Sequence, residues 1–343
     1  MNADLWRGRR VFLTGHTGFK GAWLAMWLRR LGADVTGYAL APDTTPNLFD
    51  AARVGEGMHS IVGDVRDLEA LRNALTNSNA EVVFHLAAQS LVRESYARPV
   101  DTYATNVMGT VHLFEAVRAT NTVKAVVVVT SDKCYENREL ATPFREGEPL
   151  GGRDPYSNSK ACAELVASAY RSSFFKQIAT ARAGNVIGGG DWAKDRLVPD
   201  LIRAFSRGEA AVIRNPLSIR PWQHVLEPLH GYLMLAESLL RGEAADAWNF
   251  GPSEADVRPV QWIADALASR WGNGAKWTQD SAEHPHEAST LKLDSSRART
   301  LLQWTPRLSL DTALDWIVEW HRDFNAASEV TLRQIERFEA LSA

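Results

Sequence analysis

Short apolar runs alternate with segments of helical period through the first half of the chain. Residues 11–14 form an apolar run that closes on glycines, and Trp23, Leu24, Trp27, Leu28 and Leu31 then fall on one helical face. Strand, tight turn and helix are predicted. The alternation continues with strands at 33–41 and 60–65, a helix at 68–75 and a strand at 81–86. It goes on with a long helix at 101–120, a Val-rich strand at 124–130, a helix at 156–175 and a strand at 177–182. Val-rich strands alternating with helices predict an α/β fold whose parallel sheet is buried on both faces. After residue 184 the alternation weakens and Gly, Pro and Trp become prominent, as at 188–192 and 220–222, although helices recur at 228–240, 260–271 and 310–324. The reading is a first domain over 1–184 and a smaller, partly interleaved C-terminal domain over 185–343, with segments near 220–250 returning to the first.

Composition narrows this picture mainly by exclusion. The chain has 343 residues, a formal net charge of −3 and 45% hydrophobic residues, an ordinary globular balance with room for substantial cores. Nearly balanced charge argues against a nucleic-acid partner, which would need a basic excess, and the cluster Arg7, Arg9, Arg10 reads as a solvated lead-in to the first strand. Cys134 and Cys162 are the two cysteines, so no disulfide framework or repeated metal-ligand spacing exists, and a reducing cytoplasm is expected. The aliphatic run 125–129 is far too short to span a bilayer, and the opening residues are too polar for a signal peptide; no membrane partner is expected. Trp, at 12, outnumbers Tyr, at 7, which composition does not explain.

The turn after the first strand, 14–21, reads TGHTGFKG. Gly15 allows the tight turn, Gly18 lets backbone N–H groups reach a pyrophosphate at the positive end of the helix, and Gly21 permits close packing. Its place in the first strand–helix unit points to dinucleotide binding on a Rossmann-type, doubly wound sheet. The ribose-binding acid usual at the end of the second strand is absent from 37–40, so this position does not choose between NAD and NADP. Asp64, after the third strand, can accept from an adenine amino group or else cap the following helix.

Tyr156 and Lys160 lie four apart, on one helical face. A protonated lysine beneath the phenol lowers its pKa, so that the tyrosinate can take a proton from a substrate hydroxyl. Residues 130–133, TSDK, close the last central strand, which carries their side chains to the carboxyl edge where such sheets bind ligands.

With these residues in view, the chain resembles the extended short-chain dehydrogenase/reductase family, and within it the sugar-nucleotide 4,6-dehydratases of the CDP-glucose type. The resemblance rests on TGHTGFKG, FHLAAQ (84–89), TNVMGT (105–110), TSDKCYEN (130–137), DPYSNSK (154–160), RAGNVIGGGDWAKDR (182–196), RNPLSIRPWQHVLEPL (214–229) and HPHEASTLKLD (284–294). It implies a cytoplasmic lyase that uses NAD to oxidise C4 of CDP-glucose, eliminates water across C5 and C6, and returns hydride to C6, in deoxysugar supply for surface polysaccharide. It also implies pairing through the two long helices as a homodimer or dimer of dimers.

The resemblance assigns roles residue by residue. Tyr156, Lys160 and Ser131 serve the C4 oxidation. The acid/base pair, Asp followed by Glu in the thymidine-linked dehydratases, is Asp132 followed by Lys133 here, with Asp132 as acid at C6 and Lys133 as base at C5. The cofactor set is Gly15, Thr17, Gly18, Phe19, Gly21, Asp64, Val65, Leu86, Ala87, Ala88, Gln89, Thr130, Tyr156 and Lys160. On the substrate side stand Gln89, Asn185, Arg196, Arg220 and His286, with the planar fork of Arg220 suited to a diphosphate. His284, His286 and Glu287 lack a third ligand set at metal spacing, so no metal is expected. Rival readings are another sugar-nucleotide dehydratase or a 4-epimerase, and a catalytically silent NAD-sensing module.

Overall fold

The computed structural model describes residues 2–137, 142–281 and 291–341. Its centre is a seven-stranded parallel sheet of β1 (Arg10–Thr14), β2 (Asp34–Ala39), β3 (His59–Val62), β4 (Val82–His85), β5 (Ala125–Val129), β6 (Ile178–Arg182) and β7 (Ala247–Asn249). The strands lie in the order β7-β6-β5-β4-β1-β2-β3. Alternation along each strand decides which core a side chain joins. Val11 and Leu13 of β1, with Val127 and Val129 of β5, enter a large core with Trp6, Trp23 and Trp27. Phe12, Val126 and Val128 enter the opposite core with Leu71, Leu113 and Phe114. This two-sided burial is why the strands read as continuous apolar runs.

Two predicted elements change shape. The third strand stops at Val62, so Asp64 lies in the loop beyond it, and the helix that follows is capped by Asp67, not Asp64. The helix predicted over 101–120 is an α-helical turn, Pro99–Tyr103, then a π-helical turn, Ala104–Met108, then an α-helix, Gly109–Arg118. A π turn adds a residue per turn and re-aims the side chains within it, and here it turns Asn106 toward the loop after β4.

Beyond residue 184 the chain divides its contacts. The helix Leu226–Leu240 packs against β5 and β6, and β7 pairs in parallel with β6. A separate core gathers Val198, Ile202, Ile263, Leu267, Leu314 and Ile317. The C-terminal helix Ala327–Glu339 returns to the first helix, Phe19–Arg30, where the Trp27 indole donates to Glu339 at 2.8 Å. Three of the twelve tryptophans fix the loop 188–192. Trp23 donates to the Gly189 carbonyl at 2.9 Å, Trp320 fills the space a Cβ at Gly189 would need, and Trp192 packs edge-on against Trp320.

Candidate active site

The carboxyl ends of the central strands open onto one cleft of about 340 Å³, lined from the sheet side by Lys20, Thr130, Ser131, Asp132, Lys133, Tyr156 and Lys160. Asn185, Asp191, Arg196 and Arg220 line it from the other side. The cleft stands where a doubly wound sheet places its ligands.

The glycine turn is shaped by close approach. Gly15 has φ +78°, and a Cβ there would lie 2.7 Å from Ala87 N; one on Gly21 would lie 2.0 Å from the Gly15 carbonyl oxygen. Gly18 forms the N-cap of the first helix with no side-chain cap, which leaves first-turn N–H groups for an anionic ligand. Leu86, Ala88 and Phe19 line the cleft beside it. The end of β2 carries no carboxylate: a Cβ on Gly37 would strike the His16 ring, whose Nε2 lies 2.8 Å from Ser60 Oγ. These residues fit a dinucleotide, with main chain facing its pyrophosphate.

Tyr156 and Lys160 enter from the helix Pro155–Ser173, started by an Asp154 N-cap and Pro155 in the first turn. Burial pushes the Tyr156 phenol up to about 12, opposed by a hydrogen bond with Ser131 and the charge of Arg196. Burial pulls Lys160 down to about 8, and its ammonium donates to the Val129 carbonyl at 3.2 Å. Ser131 therefore sits between two groups, since its hydroxyl also donates to Asp132 Oδ1 at 3.0 Å.

Asp132 is 3% exposed, and its Oδ2 has no hydrogen-bond partner among the described residues. Burial raises its pKa, against the lowering effects of Lys133, the Ser131 bond, Arg220 and Lys20. Only a residue without a side chain fits opposite: a Cβ on Gly184 would lie 1.9 Å from Asp132 Oδ2. A buried carboxyl whose pKa is raised, with an oxygen unclaimed, is suited to exchange a proton with a ligand.

Sequence comparison places this geometry in a family. Residues 12–316 match the family model described as GDP-mannose 4,6 dehydratase. The chain belongs to that family. A CDP-glucose 4,6-dehydratase of Salmonella typhimurium is 54% identical over 94% of this chain and 93% of that protein. Among solved structures, MoeE5 in complex with UDP-glucose and NAD superposes with a TM-score of 0.77 at 26% identity, covering 91% of this chain and 98% of that one. A UDP-glucose 4-epimerase of Thermotoga maritima, at 21% identity over 91% of this chain and 98% of that one, shares the fold with a TM-score of 0.81.

Several residues singled out from sequence are engaged differently from expectation. Gln89 was expected to meet both ligands, but its amide is consumed locally: it donates to Leu91 O at 3.1 Å and Thr102 Oγ1 at 2.9 Å and accepts from Leu91 N at 2.5 Å. It braces the loop after β4, and both of its amide hydrogens are taken up there. The Thr130 hydroxyl donates to buried Glu164, and Thr17 donates to Leu40 O at 2.8 Å. Both hydroxyl hydrogens are committed within the fold, so these residues would meet a cofactor through their main chain or as acceptors. The Asp64 carboxylate lies in the fork of Arg66 at 2.6 Å, beside Val65 just past the carboxyl end of β3. Arg196 is held by Asp191 at 3.0 Å and Ser90 at 2.7 Å, and Asn185 adopts φ +34° beside it. His286, with His284 and Glu287, lies outside the described residues.

Three residues in or beside the cleft escaped the sequence reading. Asn106 clamps the main chain of Gln89, accepting from its N–H and donating to its carbonyl, each at 2.9 Å, and also donates to Ser159. Asp191 anchors Arg196. Lys20, inside the glycine turn, lines the cleft. Its signal was visible, as a charged residue in the first turn of a helix that is apolar from Ala22 to Leu28.

Proposed function

We propose that the chain removes water from CDP-glucose to give CDP-4-keto-6-deoxyglucose, with NAD as cofactor. The observation that carries this reading is the buried Asp132 carboxyl, its Oδ2 without a hydrogen-bond partner among the described residues, one hydroxyl away from Tyr156, in a chain 54% identical to a CDP-glucose 4,6-dehydratase. A 4-epimerase needs the Tyr–Lys pair but no acid beside it.

The main chain of Gly15, Gly18, Phe19, Leu86, Ala87 and Ala88, close-packed through Gly21, would hold the dinucleotide, with Asp64 and Val65 for its adenine end. Bound there, NAD would supply the redox chemistry of the reaction, taking up hydride from C4 and giving it back at C6. Tyr156 takes the proton from the C4 hydroxyl, and Lys160 fixes its pocket from below. The 4-ketone acidifies C5, whose proton passes to Lys133, while Asp132 protonates the departing C6 oxygen. Because Ser131 bonds to both Tyr156 and Asp132, the proton taken at C4 and the proton given at C6 belong to groups linked through one hydroxyl. Arg220 and Asn185 serve the diphosphate, with Arg196 shaping the wall between them.

The reading extends to a cytoplasmic homodimer or dimer of dimers supplying deoxysugars for surface polysaccharide. Support for pairing comes from exposed apolar side chains on the long helices and their approaches, Val100, Met108, Leu165 and Phe174. No helix among the described residues is long and apolar enough to cross a membrane. Incubation with a panel of nucleotide-linked glucoses and NAD, analysed by mass, tests the assignment. Loss of one water from CDP-glucose in preference to the others is expected; a product of unchanged mass, or preference for another base, would overturn it.

A further inference from the structure

Lys20 is the second residue of the first helix, between Gly18 and Gly21, and its half-buried side chain reaches the cleft with Asp132, Tyr156 and Lys160. Its ammonium lies 5.9 Å above the ring of Tyr232, a fully buried residue whose hydroxyl has no partner among the described residues. No hydrogen bond or ion pair holds that ammonium among the described residues. Burial brings it down to about 7, helped by the charges of Arg196 and Lys160 and opposed by those of Asp132 and Asp191, which favour its protonated form. The cleft thus holds an unclaimed cation and, on Asp132, an unclaimed buried carboxyl oxygen.

We propose that Lys20 is a positioning residue for the elimination step, its ammonium offsetting the charge that Asp132 acquires when it gives its proton to the C6 oxygen. The inference rests on the dehydratase reading above. In the step, the C6–O bond breaks with its electron pair on oxygen, that oxygen takes the Asp132 proton and leaves as water, the C5 proton passes to Lys133, and a C5–C6 double bond forms. Asp132 is left ionised where its Oδ2 meets no donor, and an uncompensated buried carboxylate is costly. Three cations bear on it: Lys133, Arg220 and Lys20. Lys133 gains its positive charge only by taking the C5 proton, and Arg220 is assigned to the diphosphate; Lys20 is the further cation of the cleft, its charge independent of both roles. It bears on C6–O cleavage, where Asp132 ionises, more than on oxidation at C4, where Asp132 transfers no proton.

The test uses the full-length protein with Lys20→Met and Lys20→Arg. The Asp132 carboxyl is first titrated by infrared difference against Asp132→Asn, without substrate. Its pKa is expected to rise in Lys20→Met and to stay near the wild-type value in Lys20→Arg; identical titration in all three proteins would overturn the proposal. With CDP-glucose, Lys20→Met is expected to slow water loss about 10²-fold while single-turnover reduction of NAD stays close to wild type, and Lys20→Arg to restore most of the loss. Equal loss of both steps would overturn it. Failure of the wild type to dehydrate CDP-glucose would overturn the functional reading, whereas the infrared titration judges Lys20 independently of any substrate.

Discussion

Two carboxylates, Glu164 and Asp132, are buried at the carboxyl edge of this sheet with nearly the same exposure and opposite surroundings. Glu164 receives the guanidinium of Arg182 at 2.8 Å, the hydroxyl of Thr180 at 2.6 Å and that of Thr130. Arg182 reaches on to Tyr135 at 2.7 Å, and Tyr135 to Asn249 of β7 at 2.7 Å. Both oxygens of Glu164 are satisfied, and the knot ties β5, β6 and β7 together. Asp132 has one donor on one oxygen and none on the other. A carboxylate completed by the protein contributes structure, whereas one left incomplete in an open cleft is available for chemistry.

The largest expected difference is in turnover. Asp132→Asn should slow water loss by about 10³-fold, equivalent to about 4 kcal/mol, and leave NAD binding unchanged, as measured by product formation and cofactor titration. Glu164→Ala should do the reverse in kind: it strands Arg182 in the interior and should cost about 3 kcal/mol of stability in urea unfolding. Asp132→Asn in the same assay should cost under about 1 kcal/mol.

The pH dependence of that second comparison has a definite sign. Burial raises the Asp132 pKa in the folded protein above its unfolded value, so the native state holds this proton more tightly. That stabilisation is fully present below the ordinary carboxylate range and is lost as pH climbs through the raised pKa. Asp132→Asn should therefore gain stability relative to wild type as pH rises, measured by urea midpoints across the acidic range. The smallest effect belongs to Gln89→Ala, which removes a loop brace and should cost about 1 kcal/mol with little change in the affinity for CDP-glucose.

The contrast also explains what was legible in the sequence. The glycine turn and most of the strands follow local rules of spacing and alternation; Tyr156 and Lys160 do line one cleft, but burial raises the phenol to about 12 where a lowering by Lys160 was expected, and the Lys160 ammonium donates to the Val129 carbonyl. Gln89 misled because its motif sits beside the cleft, yet its amide is consumed by Leu91 and Thr102, partners that only the folded loop brings within reach. Asn106 was hidden by a helix that looked continuous until its π turn redirected the side chain. The distinction between Glu164 and Asp132 was likewise invisible, because neither the arrival of Arg182 at one nor the bare face of Gly184 opposite the other is a property of neighbouring residues.

The account stands on elimination across C5 and C6 by Asp132 and Lys133, and turnover of CDP-glucose with NAD in heavy water tests it most directly. Mass and proton spectra of the product should show loss of one water and one deuterium at C5, and Lys133→Met should abolish C5 exchange while C4 oxidation persists. Product without deuterium at C5, a C4 epimer that has lost no water, or unimpaired exchange in Lys133→Met would contradict it.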